Sequence, residues 1–352
     1  MSFRCLLLLL LLAPLARADI ASLKPDPAGH LLINDKPAKL WGLRVASAAT
    51  SDAATKQLLE TLPTLKEDGV NLLLVCYQGG TGLTTKTFAA DGASFEDTAV
   101  RDRVRQIIAA ADKLDVCVAV SLFFPRKMGI GGQDPKLASR DAYLAACRTA
   151  AEELKDKRNV LVIVADQPSA GAFAMTPMKF MPADVIDCLK AVAAVAPGLP
   201  RGGGGSLHAA NQMIAQSEAA TIIVHAETGV APPAFASVKK PILHAAYTGP
   251  IETAGKNPQG FYPPPARQPY TDMLDKYLDA PTAHVVAHFP AWTEGGQDLK
   301  PNRFDVGGPG TQKEPGLAWY LDALRQRTRK PDPAKPAGPG DAPGKPGKSI
   351  FD

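Results

Sequence analysis

Two kinds of motif are missing from this 352-residue chain. Its five cysteines include no C-x-x-C pair, and none is interleaved with histidine at the spacing of a zinc site. No G-x-G-x-x-G and no phosphate-cradling loop follows the first strand. Long apolar runs are also scarce. Beyond the amino terminus, no stretch approaches the roughly 20 apolar residues that a transmembrane helix requires. Charge of one sign is lacking too. The 39 Lys/Arg and 35 Asp/Glu are unequal only because the first 18 residues carry two arginines and the last 24 carry five Lys/Arg against three Asp. The segment between them holds 32 of each sign, so the basic footprint of a nucleic-acid-binding protein is not there. No metal, cofactor or nucleic-acid partner is expected.

What is present begins with a leader. Arg4 opens a charged segment, Leu6 to Leu12 is unbroken leucine, and Ala16-Arg17-Ala18 forms an A-x-A cleavage site. Residues 1–18 therefore read as a signal peptide, and the product is expected in the periplasm, the cell envelope or the medium. At the other end, residues 329–352 contain six prolines and four glycines among lysines, a composition that cannot bury enough surface to order itself. Residues 19–328 remain as one domain, a length normal for a single barrel. Four cysteines survive cleavage: Cys76, Cys117, Cys147 and Cys188. They read as buried thiols, with Cys147 to Cys188 the one pairing worth testing, because both fall in predicted helices.

Within the domain the chain keeps a beat. A short hairpin turns at Asn34-Asp35 and runs into LWGLRVA. A helix from Ser51 to Asp68 precedes the apolar strand Val70 to Tyr77. A helix from Asp97 to Leu114 precedes Val116 to Phe124, and a helix from Ser139 to Lys155 precedes NVLVIVADQP, Asn159 to Pro168. Uninterrupted apolar runs of this kind are strands buried on both faces of a parallel sheet. The helix Pro182 to Val195 then leads to Leu199-Pro200-Arg201 and four consecutive glycines, where only a weak fifth strand is expected, followed by a helix from Leu207 to Glu218. Thr221 to Thr228, Pro241 to Tyr247 and His284 to Pro290 supply three more strands, with helices near Pro233 to Lys239, at Thr271 to Ala280 and at Gly316 to Arg327. Eight strand-helix units in 310 residues predict an α/β fold, a single (β/α)8 TIM barrel with a short N-terminal hairpin.

Such barrels collect function at the C-terminal ends of their strands. Here those ends carry Arg44, Tyr77, Gln78, Phe124, Arg126, Asp166, Gln167, His225, Glu227, His244, Tyr247, His288, Trp292 and Glu294. Aromatic faces with amide, carboxylate and imidazole groups suit sugars, which offer C–H faces and hydroxyls.

Several short motifs strengthen that reading. Gly29-His30-Leu31-Leu32-Ile33-Asn34-Asp35-Lys36-Pro37 with Leu40-Trp41-Gly42, Glu67-Asp68-Gly69-Val70-Asn71, Asp166-Gln167-Pro168, His225-Ala226-Glu227 and Trp292 together resemble clan A glycoside hydrolases. The nearest is family 5, which contains cellulases and mannanases. The resemblance spans Gly29 to about Arg327 and implies a barrel acting on carbohydrate, with an acid glutamate ending strand four and a nucleophile glutamate on strand seven. Both are replaced. Gln167 stands in the acid's place and cannot donate a proton to a leaving group, and the nucleophile position falls on Ala245 or Ala246.

Three readings follow. In the first, the exported barrel has lost double-displacement hydrolysis and binds carbohydrate or serves the envelope, with Gln167, Arg44, Tyr77, His225, His244, Tyr247, His288 and Trp292 as substrate-binding residues. The second is an active hydrolase with relocated carboxylates, Glu227 with Asp166 or Glu294. The third is a scaffold whose tail reaches a partner. Plainer roles stand beside each residue: Glu227 as a salt-bridged rim group, Arg44 as the ion-pair partner of Asp166, the histidines as hydrogen-bonded core groups, and Tyr247 and Trp292 as caps on the barrel core.

Overall fold

The computed structural model describes residues 20–78, 87–123, 137–166, 176–227, 235, 237–249, 260–290 and 306–328. The leader and the tail lie outside them. An antiparallel sheet opens the domain: β1 (Leu23–Pro25), β2 (Leu31–Ile33) and β3 (Lys36–Ala38). Asn34 and Asp35 turn β2 into β3 with φ of 52° and 63°, a left-handed conformation that Asn and Asp tolerate. The expected hairpin thus gains a third strand.

Eight parallel strands follow: β4 (Trp41–Arg44), β5 (Leu72–Gln78), β6 (Cys117–Phe123), β7 (Val160–Asp166), β8 (Arg201–Gly204), β9 (Ile223–His225), β10 (Ile242–Tyr247) and β11 (Ala283–Ala287). They pair in the order β8-β7-β6-β5-β4-β11-β10-β9. The two ends of that order meet, because Ile222 N donates to Arg201 O (3.1 Å) and Ala226 N to Gly205 O (2.9 Å). Helices alternate with the strands: α1 (Asp52–Glu67), α2 (Thr98–Asp112), α3 (Arg140–Leu154), α4 (Pro182–Val195), α5 (His208–Gln216), α6 (Pro264–Leu278) and α7 (Ala318–Thr328). This is the predicted (β/α)8 barrel. No helix of the described residues is long and apolar enough to cross a membrane.

The strand at the glycine run is the instructive one. Arg201 to Gly204 is a fully buried strand made almost entirely of backbone. A Cβ on Gly202 would lie 2.7 Å from Ile222 O, one on Gly204 would lie 1.9 Å from Val224 O, and one on Gly203 would meet Val185 of α4 at 2.7 Å. Glycine is therefore required where β9 and α4 press against β8 from both sides. A strand without side chains carries no hydrophobic signal, so the sequence shows it only faintly.

All four described cysteines are buried free thiols. Burial, with Cys188 of α4 beside it, holds the thiol of Cys147 on α3 well above its ordinary pKa, and Cys188 Sγ donates to Met178 Sδ at 3.6 Å. Cys76 and Cys117 lie on neighbouring strands, but Cys76 pairs with Ser121 and Cys117 with Leu72. Four residues of stagger separate them by about 13 Å, too far for a bridge.

Candidate functional site

At the C-terminal end of the barrel, Arg44 of β4 and Asp166 of β7 form an ion pair through Nη1 and Oδ2, and neither side chain is exposed at all. Two strands stand between β4 and β7 in the sheet, so the pair crosses the barrel interior. Two charges removed from water persist only when closely paired. Of the two roles open to Arg44, the structure displays the ion pair.

Glu227, just past β9, is also buried, at 3% exposure. Its Oε1 accepts from Asn211 Nδ2 at 2.5 Å and its Oε2 from His208 Nδ1 at 3.0 Å, both on α5. Asn211 in turn donates to Gly205 O (2.7 Å) and accepts from Gly205 N (2.8 Å), clamping the end of the glycine strand. Glu227 has the partnered side chain of the plainer reading, held by His208 and Asn211, but it is buried rather than at the rim. Its partners His208 and Asn211 were not singled out from the sequence. The signal available there was their i, i+3 spacing on a helix directly after the glycine run.

The remaining residues at the strand ends divide between the inside of the barrel and the layer between strands and helices. Tyr77 packs on Phe95 (5.3 Å between centroids) and Phe88 (6.0 Å), and burial raises its phenol pKa far above 10. His225 and His244, adjacent in register, pack with tilted rings whose centroids lie 4.5 Å apart. Tyr277 of α6 bridges them, its hydroxyl 3.0 Å from His244 Nδ1 and 3.4 Å from His225 Nε2. Burial, with His208 nearby, drops the His225 pKa to about 3, and burial holds His244 well below its usual value. Tyr247 donates to Pro269 O on α6 at 2.8 Å. A bulge between His244 and Tyr247 keeps both on the helix side of β10. Tyr77, His225, His244 and Tyr247 therefore face the helix layer, not the barrel interior. His288 follows β11, with Nδ1 3.1 Å from Thr248 Oγ1. Ala245 and Ala246 are both buried in β10, and a methyl group there supplies no nucleophile. Gln167, Trp292 and Glu294, with Phe124 and Arg126, lie outside the described residues.

No family model and no curated protein matches the chain. Solved structures do. A candidate glycoside hydrolase from Bacteroides vulgatus superposes with a TM-score of 0.62 at 14% identity, covering 88% of this chain and 61% of its own. A family 5 glycoside hydrolase from the same organism gives 0.53 at 13%, covering 76% and 62%. The β-mannanase of the blue mussel Mytilus edulis gives 0.57 at 12%, covering 89% and 98%. These structures share the (β/α)8 barrel fold of this chain. The chain spans about three fifths of the two Bacteroides proteins and nearly all of the mussel enzyme. The expected likeness to glycoside hydrolases, family 5 included, is thus met at the level of fold.

Proposed function

We propose that this glycoside-hydrolase-like barrel is an exported protein that binds carbohydrate without cleaving it by double displacement. One observation carries the reading: both described carboxylates that could replace the missing catalytic pair are committed to the protein itself. Asp166 is held by Arg44 inside the barrel, and Glu227 is held by His208 and Asn211 on α5. A retaining mechanism needs a proton donor and a nucleophile about 5 Å apart across one sugar, and an inverting one needs a free carboxylate beside a water. Two carboxylates directed to different layers of the barrel serve neither. Gln167 and the alanines at 245 and 246 agree with that loss.

The carbohydrate itself is inferred from the fold and from the mannanases among its structural neighbours. The test uses the mature chain with mannohexaose and cellohexaose as probes. Binding is expected to raise Tm by a few degrees, following mass action at ligand concentrations well above Kd, while chromatography detects no shorter oligosaccharide after prolonged incubation. Release of shorter oligosaccharides, abolished by Asp166→Asn or Glu227→Gln, would return the protein to the hydrolases. A flat Tm across both probes counts against carbohydrate binding.

A further inference from the structure

Cys147 of α3 and Cys188 of α4 are two nucleophilic side chains that the strand-end chemistry leaves unused. Both are fully buried, and they lie beside each other. Cys188 also donates to Met178 Sδ at 3.6 Å, so three sulfurs share one buried cluster. Neighbouring sulfurs alone do not make a bridge, because a disulfide also needs Cα atoms within about 4.4–6.8 Å of each other. Helices meet that need only when they pack closely. Ala142, Ala146, Ala150 and Ala151 make up most of the buried side of α3, and α3 and α4 touch more extensively than any other two helices among the described residues. Arg140 of α3 joins them again through Asp184 (3.2 Å) and Asp187 of α4. Cys76 and Cys117, staggered by four residues on neighbouring strands, have no such approach.

Burial also decides when chemistry can occur at this pair. A thiol without exposed surface, held above its ordinary pKa, offers an oxidant neither a thiolate nor a path. Exchange therefore takes place before α3 and α4 close on each other, and the form made then is kept.

We propose that Cys147 and Cys188 become a disulfide when the chain folds in the presence of a small disulfide or a disulfide-bonded oxidoreductase, the structure here being the dithiol form. One cysteine thiolate attacks the oxidant's disulfide and displaces one of its sulfurs. The second thiolate attacks the resulting mixed disulfide, which forms the bond between Cys147 and Cys188 and releases the oxidant's other sulfur. The protein loses two hydrogens and two electrons, and the oxidant leaves as two thiols. The bond ties α3 to α4 around residues 148–187, which hold β7 and the Asp166 of the buried ion pair. The presence of an oxidant in the cell rests on the export reading above; the pairing does not.

The test refolds the full chain from urea, either with oxidised and reduced glutathione or with dithiothreitol. After glutathione, mass spectrometry is expected to find tryptic segments 141–148 and 180–190 joined by a bond that dithiothreitol cleaves. Tm is expected to stand about 5–10 °C above that of the dithiol form, the effect of closing a loop of about 40 residues in a chain of this size. Cys147→Ala with Cys188→Ala is expected to remove that difference. Free thiols at both positions after glutathione overturn the pair whether or not the alanine variant folds, as does joining of either segment to Cys76 or Cys117. A bond that lowers Tm overturns its fit to this fold. Collected from the periplasm of expressing bacteria, the chain is expected to carry the same bond. Free thiols there, with the bond formed on refolding, overturn the claim for the exported chain alone and leave carbohydrate binding to its own test.

Discussion

The two halves of this barrel are built by different means. In β4 to β7, with α1 to α3, three seven-residue strands are buried along their whole length. Their helices start at capping side chains: Ser51, Asp97 and Ser139 each accept from the first turn. In β8 to β11 the strands run to four, three, six and five residues, and α4, α5 and α6 begin without a side-chain cap. What the second half lacks in apolar side chains it replaces with close backbone approach and buried polar contacts. The first half is held by area removed from water, which tolerates small losses. The second depends on fit, which does not.

The largest test of that contrast is at the seam. Gly204→Val places carbon where Val224 O already sits, 1.9 Å from the first added atom, and no rotamer relieves a clash at Cβ. Loss of the folded state is expected, a cost above about 3 kcal/mol, seen as loss of near-ultraviolet circular dichroism. Leu73→Ala in β5, also fully buried, is expected to cost roughly 3 kcal/mol and still fold. Equal behaviour of the two in urea titrations would remove the distinction.

Acid should separate the halves next. All six histidines lie at position 30 or from 208 onward, so β5, β6 and β7 contain none. Burial lowers His225 and His284 to about 3 and His244 well below its ordinary value. Leu40 N donates to His284 Nδ1 at 3.1 Å, which fixes that ring as neutral. These groups bind protons in the unfolded chain before they do in the folded one. Stability is therefore intact above about pH 6.5 and falls as pH drops, by about 1.4 kcal/mol per unit for each histidine. At pH 5 that is roughly 4 kcal/mol for His225 and His284 together, a large share of the stability of many domains, and His244 adds to it in the same direction. Hydrogen exchange is expected to show β9 to β11 losing protection before β5 to β7, and simultaneous loss in both halves would mean that they unfold as one unit.

The ion pair inside the first half comes third. Arg44→Met leaves Asp166 buried without its guanidinium, at an expected cost of about 3–5 kcal/mol. Adding Asp166→Leu should recover most of that loss, as replacement of a whole buried pair often does. Urea midpoints for the single and double variants decide it. No recovery in the double variant would mean that the pair itself, and not merely its completeness, stabilises the barrel.

The same division explains what could be read from the sequence. Apolar runs such as Leu72 to Tyr77 and Val160 to Ala165 announce buried strands, and Ser51 and Ser139 announce helix starts, so the eightfold beat is legible. The four-glycine run reads only as a weak strand because its packing partner is backbone, which leaves no pattern in side chains. At the site, the place of each residue along its strand was legible and its face was not. Tyr77, His225 and Tyr247 do stand at or beside strand ends while His244 lies in the middle of β10, and alternation and the bulge in β10 turn all four toward the helices. Residue count alone cannot locate a bulge. Asp166 with Arg44 could be paired in advance because a buried charge needs an opposite one, whereas the partners of Glu227 sit in a helix and contribute no charge run or motif.

Capping gives the smallest effect and the cleanest comparison, because it acts at one hydrogen bond. Ser139 Oγ accepts from Ala142 N at 3.1 Å, and Ser139→Ala is expected to cost about 1 kcal/mol. In the second half, Asp184 already reaches back to accept from Met181 N at 3.3 Å, which is one arm of a capping box. Met181 is 62% exposed and contributes little buried area. Met181→Ser should supply the missing arm, a hydroxyl accepting from the first turn of α4, and add about 0.5–1 kcal/mol. A gain in the second half matching the loss in the first would show that the uncapped helices sit below their attainable stability. No gain at position 181 would mean that the start of α4 is fixed by Pro182 and by packing on β7 and β8, so that fit rather than local propensity governs this half even at its helix ends.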